Sequence, residues 1–530
     1  MKSKTLTCIT AITLLATLAL PAQLAAQHTR YKLIDLGTLG GPASYESVNG
    51  EGNQILNNSG VIASSADTSI PDPTAPDFCY TPNCFVTHAI RWKNGTLTDL
   101  GALLPNYGSA AGAINARGWI TGQSQNGVID PVTGLPETRA VLWKENEIID
   151  LGTLGGNESL GIYVNDGGQV IGMATINTDP DPSFLGAPTH TFIWKDGEKV
   201  DLGTLGGPDA FVSVGCVNQR QGLVVGGSLT SSIPDPIAGV PPQDPFLWEN
   251  GTMLDLGTLG GTFGYAQCAN NRGQVIGVSS LAENPFACFP PEQPGPGCHP
   301  FLWEHGVLTD LGTLGGDKGT PIWINDAGDV VGEADLPGSQ TSHAFLWRKG
   351  VMIDLGTLDG PSHATAINSR GQIVGYFRLS DRTEPPKRHP FIWEKDGPML
   401  DLNTLIPANS DLELVTAVNI NERGEIVGVG VTGRCFPDFC GHLFLLIPCA
   451  ASDTQECEDN GEGTNAAVQS NPVPAINSST TPSPQRRPTP WRHGARKWRS
   501  GIAFRASTRQ GISCRRLDFY SVDATRRSHS

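Results

Sequence analysis

Beyond its first 26 residues the chain holds no apolar run near the ~20 residues that a membrane helix needs, so no membrane span is expected. It has no G-x-S-x-G and no H-E-x-x-H, which leaves a nucleophile elbow and a helical zinc pair without a sequence carrier. Its body has no cluster of Lys and Arg, and the formal net charge is −16, which excludes nucleic acid or an anionic membrane surface as partner of the folded part. The short four-Cys spacing of a zinc ribbon is missing too, leaving zinc only as a rival reading of the cysteines.

What is present begins with "MKSKTLTCITAITLLATLALPAQLAA", residues 1–26. Lys2 and Lys4 precede an apolar run that ends in Ala25 and Ala26, the pattern of a secretory signal. An extracellular product, cell-surface associated or periplasmic at most, is expected, and cysteine usage agrees with an oxidising compartment. Cys79 and Cys84, Cys288 and Cys298, Cys435 and Cys440, and Cys449 and Cys457 are close in sequence and fall in Pro-rich or Gly-rich loops, so each pair is a disulfide candidate. Cys216 and Cys268 stand at matching places in neighbouring repeats, either paired or as buried thiols.

One phrase dominates. "DLGTLGG" stands at Asp35, Asp150, Asp201, Asp255 and Asp310, with weaker copies at Asp99, Asp354 and Asp401. Asn-x-x-Gly follows it, as at Asn115 to Gly118 and Asn325 to Gly328, the signature of a tight hairpin. A short β-branched run such as "DVVG" comes next, then a loop, then "HAFLW" or a variant. The Trp is followed by a second hairpin turn, and the returning strand ends in "DLG". Each repeat therefore predicts four short antiparallel strands over ~40–55 residues, the size of a β-propeller blade.

An all-β propeller over residues 27–450 is the resulting fold class. The chain starts on an orphan last strand, Tyr31 to Gly37, and its final repeat ends without one at His442 to Pro448. The two halves complete one blade, giving eight four-stranded blades closed by the N-terminal strand, with seven as the alternative. In this reading the Asp of "DLG" and the His before each aromatic strand (His88, His190, His299, His343, His389, His442) recur too often for catalysis and serve structure. Leu of "DLG" and the repeated Trp fill space between blades.

"HAFLW", "DLGTLGG" and "AIN..GQIVG" in this order resemble the HAF family of extracellular bacterial repeat proteins, over about residues 31–448. The resemblance implies secretion and a repetitive β architecture and carries no catalytic residue. Asn146 in place of a turn glycine, "DLGALLP" at Asp99 and the missing Trp of the last repeat depart from the pattern.

Function in such a chain belongs where the repeat is broken. The loops before the "HAFLW" strands are long in the first five repeats and short in the sixth, which builds a rim over one face. Four of them share Asp-Pro, at Asp72, Asp130, Asp181 (beside Asp179) and Asp235. With Tyr80, Phe184 and Phe286 these are the candidate binding residues. Calcium is the one cofactor the Asp residues suggest; the plainer reading, favoured because no dense Asp/Gly spacing is present, is that Pro after Asp stiffens the loop. Two functions follow: a noncatalytic extracellular binding or scaffold module, monomeric, for a glycan or protein partner, or a polysaccharide hydrolase or lyase at the channel mouth. Clustered, nonrepeated acids would favour the second.

Residues 451–485 are rich in Ser, Thr, Asn and Pro, a composition expected to be disordered. From Arg486 to Arg527 eleven Arg and one Lys stand against two Asp. This basic tail, 486–530, reads either as an attachment arm for an acidic polymer or as an unconstrained extension.

Overall fold

The computed structural model describes residues 29–449 except 47–51, 74, 76–78, 80, 132–133, 181–184, 214–221, 237, 290–293, 381–386, 395–396 and 434–436, together with the backbone of Ala467–Ser470. The signal segment and basic tail lie outside the described residues. What is described is nearly all β, and it is built from antiparallel four-stranded units in chain order. The first unit comprises Gly40–Tyr45, Ile62–Pro71, Phe85–Lys93 and Thr96–Asp99. Further units begin on Ser109–Ile114, Ser159–Val164, Ala210–Val212, Gly260–Ala269, Gly319–Ile324 and Ser362–Ile367. The last has three consecutive strands, Leu412–Ile420, Ile426–Thr432 and Gly441–Pro448, and its fourth is Tyr31–Asp35, paired antiparallel from Tyr31 opposite Pro448 to Asp35 opposite Phe444. Within the segment read as a linker, Ala467–Ser470 pairs in parallel with Thr96–Asp99.

The recurring residues explain the geometry. In "TLGG" the Thr hydroxyl donates to the carbonyl of the second glycine, 2.8 Å in Thr153 to Gly156. The first glycine takes positive φ, 125° at Gly155. A Cβ on the second, Gly156, would lie 2.1 Å from Thr175 Oγ1, so the chain passes too closely for any side chain. The glycine of "VIG" answers to an aromatic ring: a Cβ on Gly277 would meet Phe301 Cζ at 2.7 Å, and the Phe of the aromatic strand is fully buried at Phe192, Phe246, Phe301, Phe345, Phe391 and Phe444. Burying each ring contributes about 1.5–3 kcal/mol.

Neighbouring units are fastened by three devices. The Leu of each "DLG" enters an apolar cluster shared with the next unit, as Leu100 does with Ala63 and Ala89 on one side and Ala111 and Ile114 on the other. A serine at the start of the next unit accepts from the aromatic strand: Ala89 N–H to Ser109 Oγ at 3.0 Å, Ala140 to Ser159, Ala344 to Ser362 and Leu443 to Ser44 at 2.9 Å. The hairpin Asn does double duty. Its Oδ1 accepts from backbone N–H groups in its own turn, while its Nδ2 donates to the carbonyl of the next unit's Asn: Asn57 to Asn115, Asn115 to Asn165, Asn270 to Asn325, Asn325 to Asn368, Asn368 to Asn421, and Asn421 to Asn57. Just before that Asn the first strand carries a bulge in six units, as between Ala111 and Ala113 and between Ala364 and Ala366, a feature with no sequence signal of its own.

Candidate functional site

The repeated His residues are spent on structure. Nδ1 of His88, His190, His299, His343, His389 and His442 lies 2.7–2.9 Å from a carboxylate oxygen of Asp99, Asp201, Asp310, Asp354, Asp401 and Asp35. The same Asp accepts from a backbone N–H two residues on, 2.8 Å at Gly203. Each pair thus ties the aromatic strand to the outer strand and to the turn beyond it. Where Asp244 stands in place of His, burial and the neighbouring Asp255 push its carboxyl up to about 6.

Among the Asp-Pro residues, Asp130 and Asp235 close equivalent loops: the Asp N–H donates to Leu135 O at 2.8 Å and Val240 O at 2.9 Å, and the Asp carbonyl accepts from Gly134 and Gly239. Asp72 donates to Cys84 O at 2.8 Å beside the Cys79–Cys84 disulfide. These backbone bonds close the loops on themselves. Among the described residues no group of three or more His, Cys, Asp or Glu is placed to hold a metal. Phe286 is half-buried, with Phe289 edge-on to Phe263 at 5.4 Å behind the Cys288–Cys298 disulfide. Cys268, Cys440 and Cys449 are disulfide-bonded to partners outside the described residues. Asp181, Tyr80, Phe184, Cys435, Cys457 and Cys216 also lie outside them.

Two clusters of nonrepeated residues were not singled out by sequence. The first joins the second and third units: buried Asp130, Glu137 and Glu158. Glu158 accepts from Thr138 N at 2.8 Å, and Glu137 accepts from Arg139 at 2.7 Å and from Asn126 at 2.8 Å. Burial first, with the charges of Asp130 and Glu137, pushes Glu158 up to about 8 against the lowering effect of the Thr138 N–H and Arg139.

The second cluster is a row across the sixth and seventh units. Glu333 lies 3.4 Å from His363 Nδ1 and accepts from Ser342 Oγ at 3.1 Å. His363 stacks on Tyr376 with ring centroids 5.2 Å apart, and the Arg388 guanidinium lies 4.6 Å from the Tyr376 ring centre. Burial alone would raise Glu333, but His363, Ser342 and Lys318 outweigh it and hold the carboxyl down at about 2. Glu333 keeps 38% of its side chain accessible, while His363 and Tyr376 behind it are buried, 7% and 9% exposed. Close to Glu333 in the chain is the short loop 336–341, which Leu336 and Thr341 close at 3.0 Å. The available signal was a break in the repeat: Glu333 and Tyr376 stand where other units have Met173, Gly227 or Val278.

No family model matches the chain, and no curated protein matches it. Solved structures do. The β-propeller domain of the trilobed protease from Pyrococcus furiosus is 11% identical, covering 66% of this chain and 98% of that one, with a TM-score of 0.40. Porphyromonas gingivalis dipeptidyl peptidase 4 is 9% identical over 74% of this chain and 59% of its own, with a TM-score of 0.41. An ulvan lyase bound to a GlcA-Rha3S polymer is 9% identical over 81% of this chain and 99% of its own, with a TM-score of 0.35. The chain spans 58% of the length of Pyrococcus horikoshii acylaminoacyl peptidase, which it also resembles. These are likenesses of fold alone.

Proposed function

We propose that the units are eight blades of a closed propeller, completed by Tyr31–Asp35, and that this secreted, HAF-like chain is a noncatalytic binding module for an extracellular glycan. The row Glu333–His363–Tyr376–Arg388 is its recognition surface. The observation that carries this reading is the contrast between the repeated and the single residues. All six repeated His are committed to an Asp, whereas the accessible Glu333 carboxylate stands at a break in the repeat, three residues before the short loop 336–341. A mixed row of donors, acceptors and an aromatic ring suits hydroxyl-rich ligands, which need convergent hydrogen bonds and little charge.

Glycan-array binding of the mature chain, followed by titration of the best glycan, tests it. E333Q and Y376F should each weaken binding at least about tenfold, the cost of one lost charge-assisted or buried hydrogen bond. Unchanged affinity in both variants overturns the assignment of the row.

Glu158 favours a second reading. A buried carboxyl raised to about 8 beside a second acid, Glu137, is the kind of carboxyl pair a polysaccharide hydrolase uses. Release of new reducing ends, lost in E158Q, would replace the noncatalytic reading with this one.

A further inference from the structure

An outer strand of a sheet leaves one row of backbone N–H and C=O groups unpaired, and such an edge accepts a further strand. Here one edge is filled. Thr96 to Asp99 pairs in parallel, residue for residue, with Ala467 to Ser470, some 370 residues later in the chain. Matched positions in other units show what an uncovered edge is like. Thr98, third in its outer strand, is 6% exposed. Val200, Leu254 and Ile353, third in theirs, are 50%, 47% and 37% exposed. Ile34, Ile149 and Leu400, at the same position, are half-buried against apolar clusters. The alignment is fixed by register, because the Asp that follows each lies opposite the same position of the aromatic strand: Asp99 opposite Ile90, Asp201 opposite Phe192, Asp255 opposite Phe246, and Asp354 opposite Phe345.

We propose that Thr96–Asp99 is a strand-docking edge and that Ala467–Ser470 of the same chain is its resident ligand. The short strand fastens the C-terminal segment to the outside of the first unit. It also shields the edge from pairing with another sheet. Recognition is by main-chain hydrogen bonding, so the occupant must be extended, and proline is excluded at the positions whose amides face the edge. The sequence agrees: "AAVQS" is free of proline, and Pro472 and Pro474 follow directly.

Hydrogen exchange on the full chain tests this against an internal control. Amides of Thr96–Asp99 that point away from the aromatic strand should exchange at least about tenfold more slowly than the equivalent amides of Val351–Asp354. In V468P/Q469P, which removes a docking amide whichever of the two faces the edge, that protection should vanish while exchange in the other units is unchanged. A peptide of residues 463–470 added to this variant should restore it. Equal exchange of the two edges in the unaltered chain overturns the proposal. So does protection that grows with protein concentration, since the docked strand would then come from a second copy.

Discussion

Asn421 donates its side-chain amide to the backbone carbonyl of Asn57 at 3.1 Å, across 364 residues of sequence. Its Oδ1 accepts from the N–H groups of Arg423 and Glu425 at 3.0 Å, so one side chain shapes its own hairpin and joins the last unit to the first. Asn421→Ala removes both roles. With about 1–3 kcal/mol for each buried group left unpaired, a loss of about 2–4 kcal/mol is expected in urea unfolding. Asn271→Ala, which removes an exposed bond to Asp326, should cost less than about 1 kcal/mol.

Asp244 tests the repeated His–Asp pair by its exception. The acid is half-buried beside Asp255, and its carboxyl is raised to about 6. A raised acid is ionised more readily in the unfolded chain, so stability should fall as pH climbs from about 4 through about 6 and then level off. Roughly two pKa units correspond to about 3 kcal/mol, and screening of this partly exposed group lowers that to about 1–2 kcal/mol. Asp244→His rebuilds the pair present in six other units and should remove the fall. Thermal midpoints measured between pH 4 and 7 distinguish the outcomes; a decline of equal size in the variant would refute the assignment.

Gly277 and Phe301 form a complementary pair. A Cβ on Gly277 would sit 2.1 Å from Tyr265 O as well as against the Phe301 ring. Gly277→Ala is expected to destabilise by about 1–3 kcal/mol through overpacking. Phe301→Ala should cost about 3–5 kcal/mol through the cavity it leaves. If the two defects share one space, the double variant should lose measurably less than the sum of the singles, which denaturant titration of the three proteins will show.

These residues also show what a sequence can reveal. The β-branched run closed by glycine and the Phe of the following strand were legible as strands because period two and hairpin punctuation are local. Cys79–Cys84 and Cys288–Cys298 were legible for the same reason, being separated by 5 and 10 residues. The Asn was read only as a turn former, since its second bond reaches a carbonyl of another repeat and leaves no local trace. The row from Glu333 to Arg388 was missed because it is assembled from four strands in two units, each contributing one residue where the repeat is loosest. The acids of the second and third units escaped similarly: Asp130 was noted for its Pro, while Glu137 and Glu158 become neighbours only when the loop folds over the next unit.

His442 and Asp35 set the last expectation. Nδ1 of His442 lies 2.9 Å from Asp35, and this hydrogen bond raises the His above its ordinary value against the opposing effect of burial. A raised His gives stability that is fully present below the unfolded value of about 6.5 and is lost as pH rises through the higher folded value. Because the pair is partly exposed, its worth is about 0.5–1 kcal/mol. The loss should be local, since this His is alone among the six in binding an Asp from the opposite end of the chain. Exchange of the Tyr31–Asp35 amides, corrected for intrinsic rate, should therefore speed up above neutral pH while amides of Val330–Asp335 do not. His442→Gln keeps a neutral donor and should make that exchange independent of pH; a pH dependence that persists in this variant would place the titrating group elsewhere.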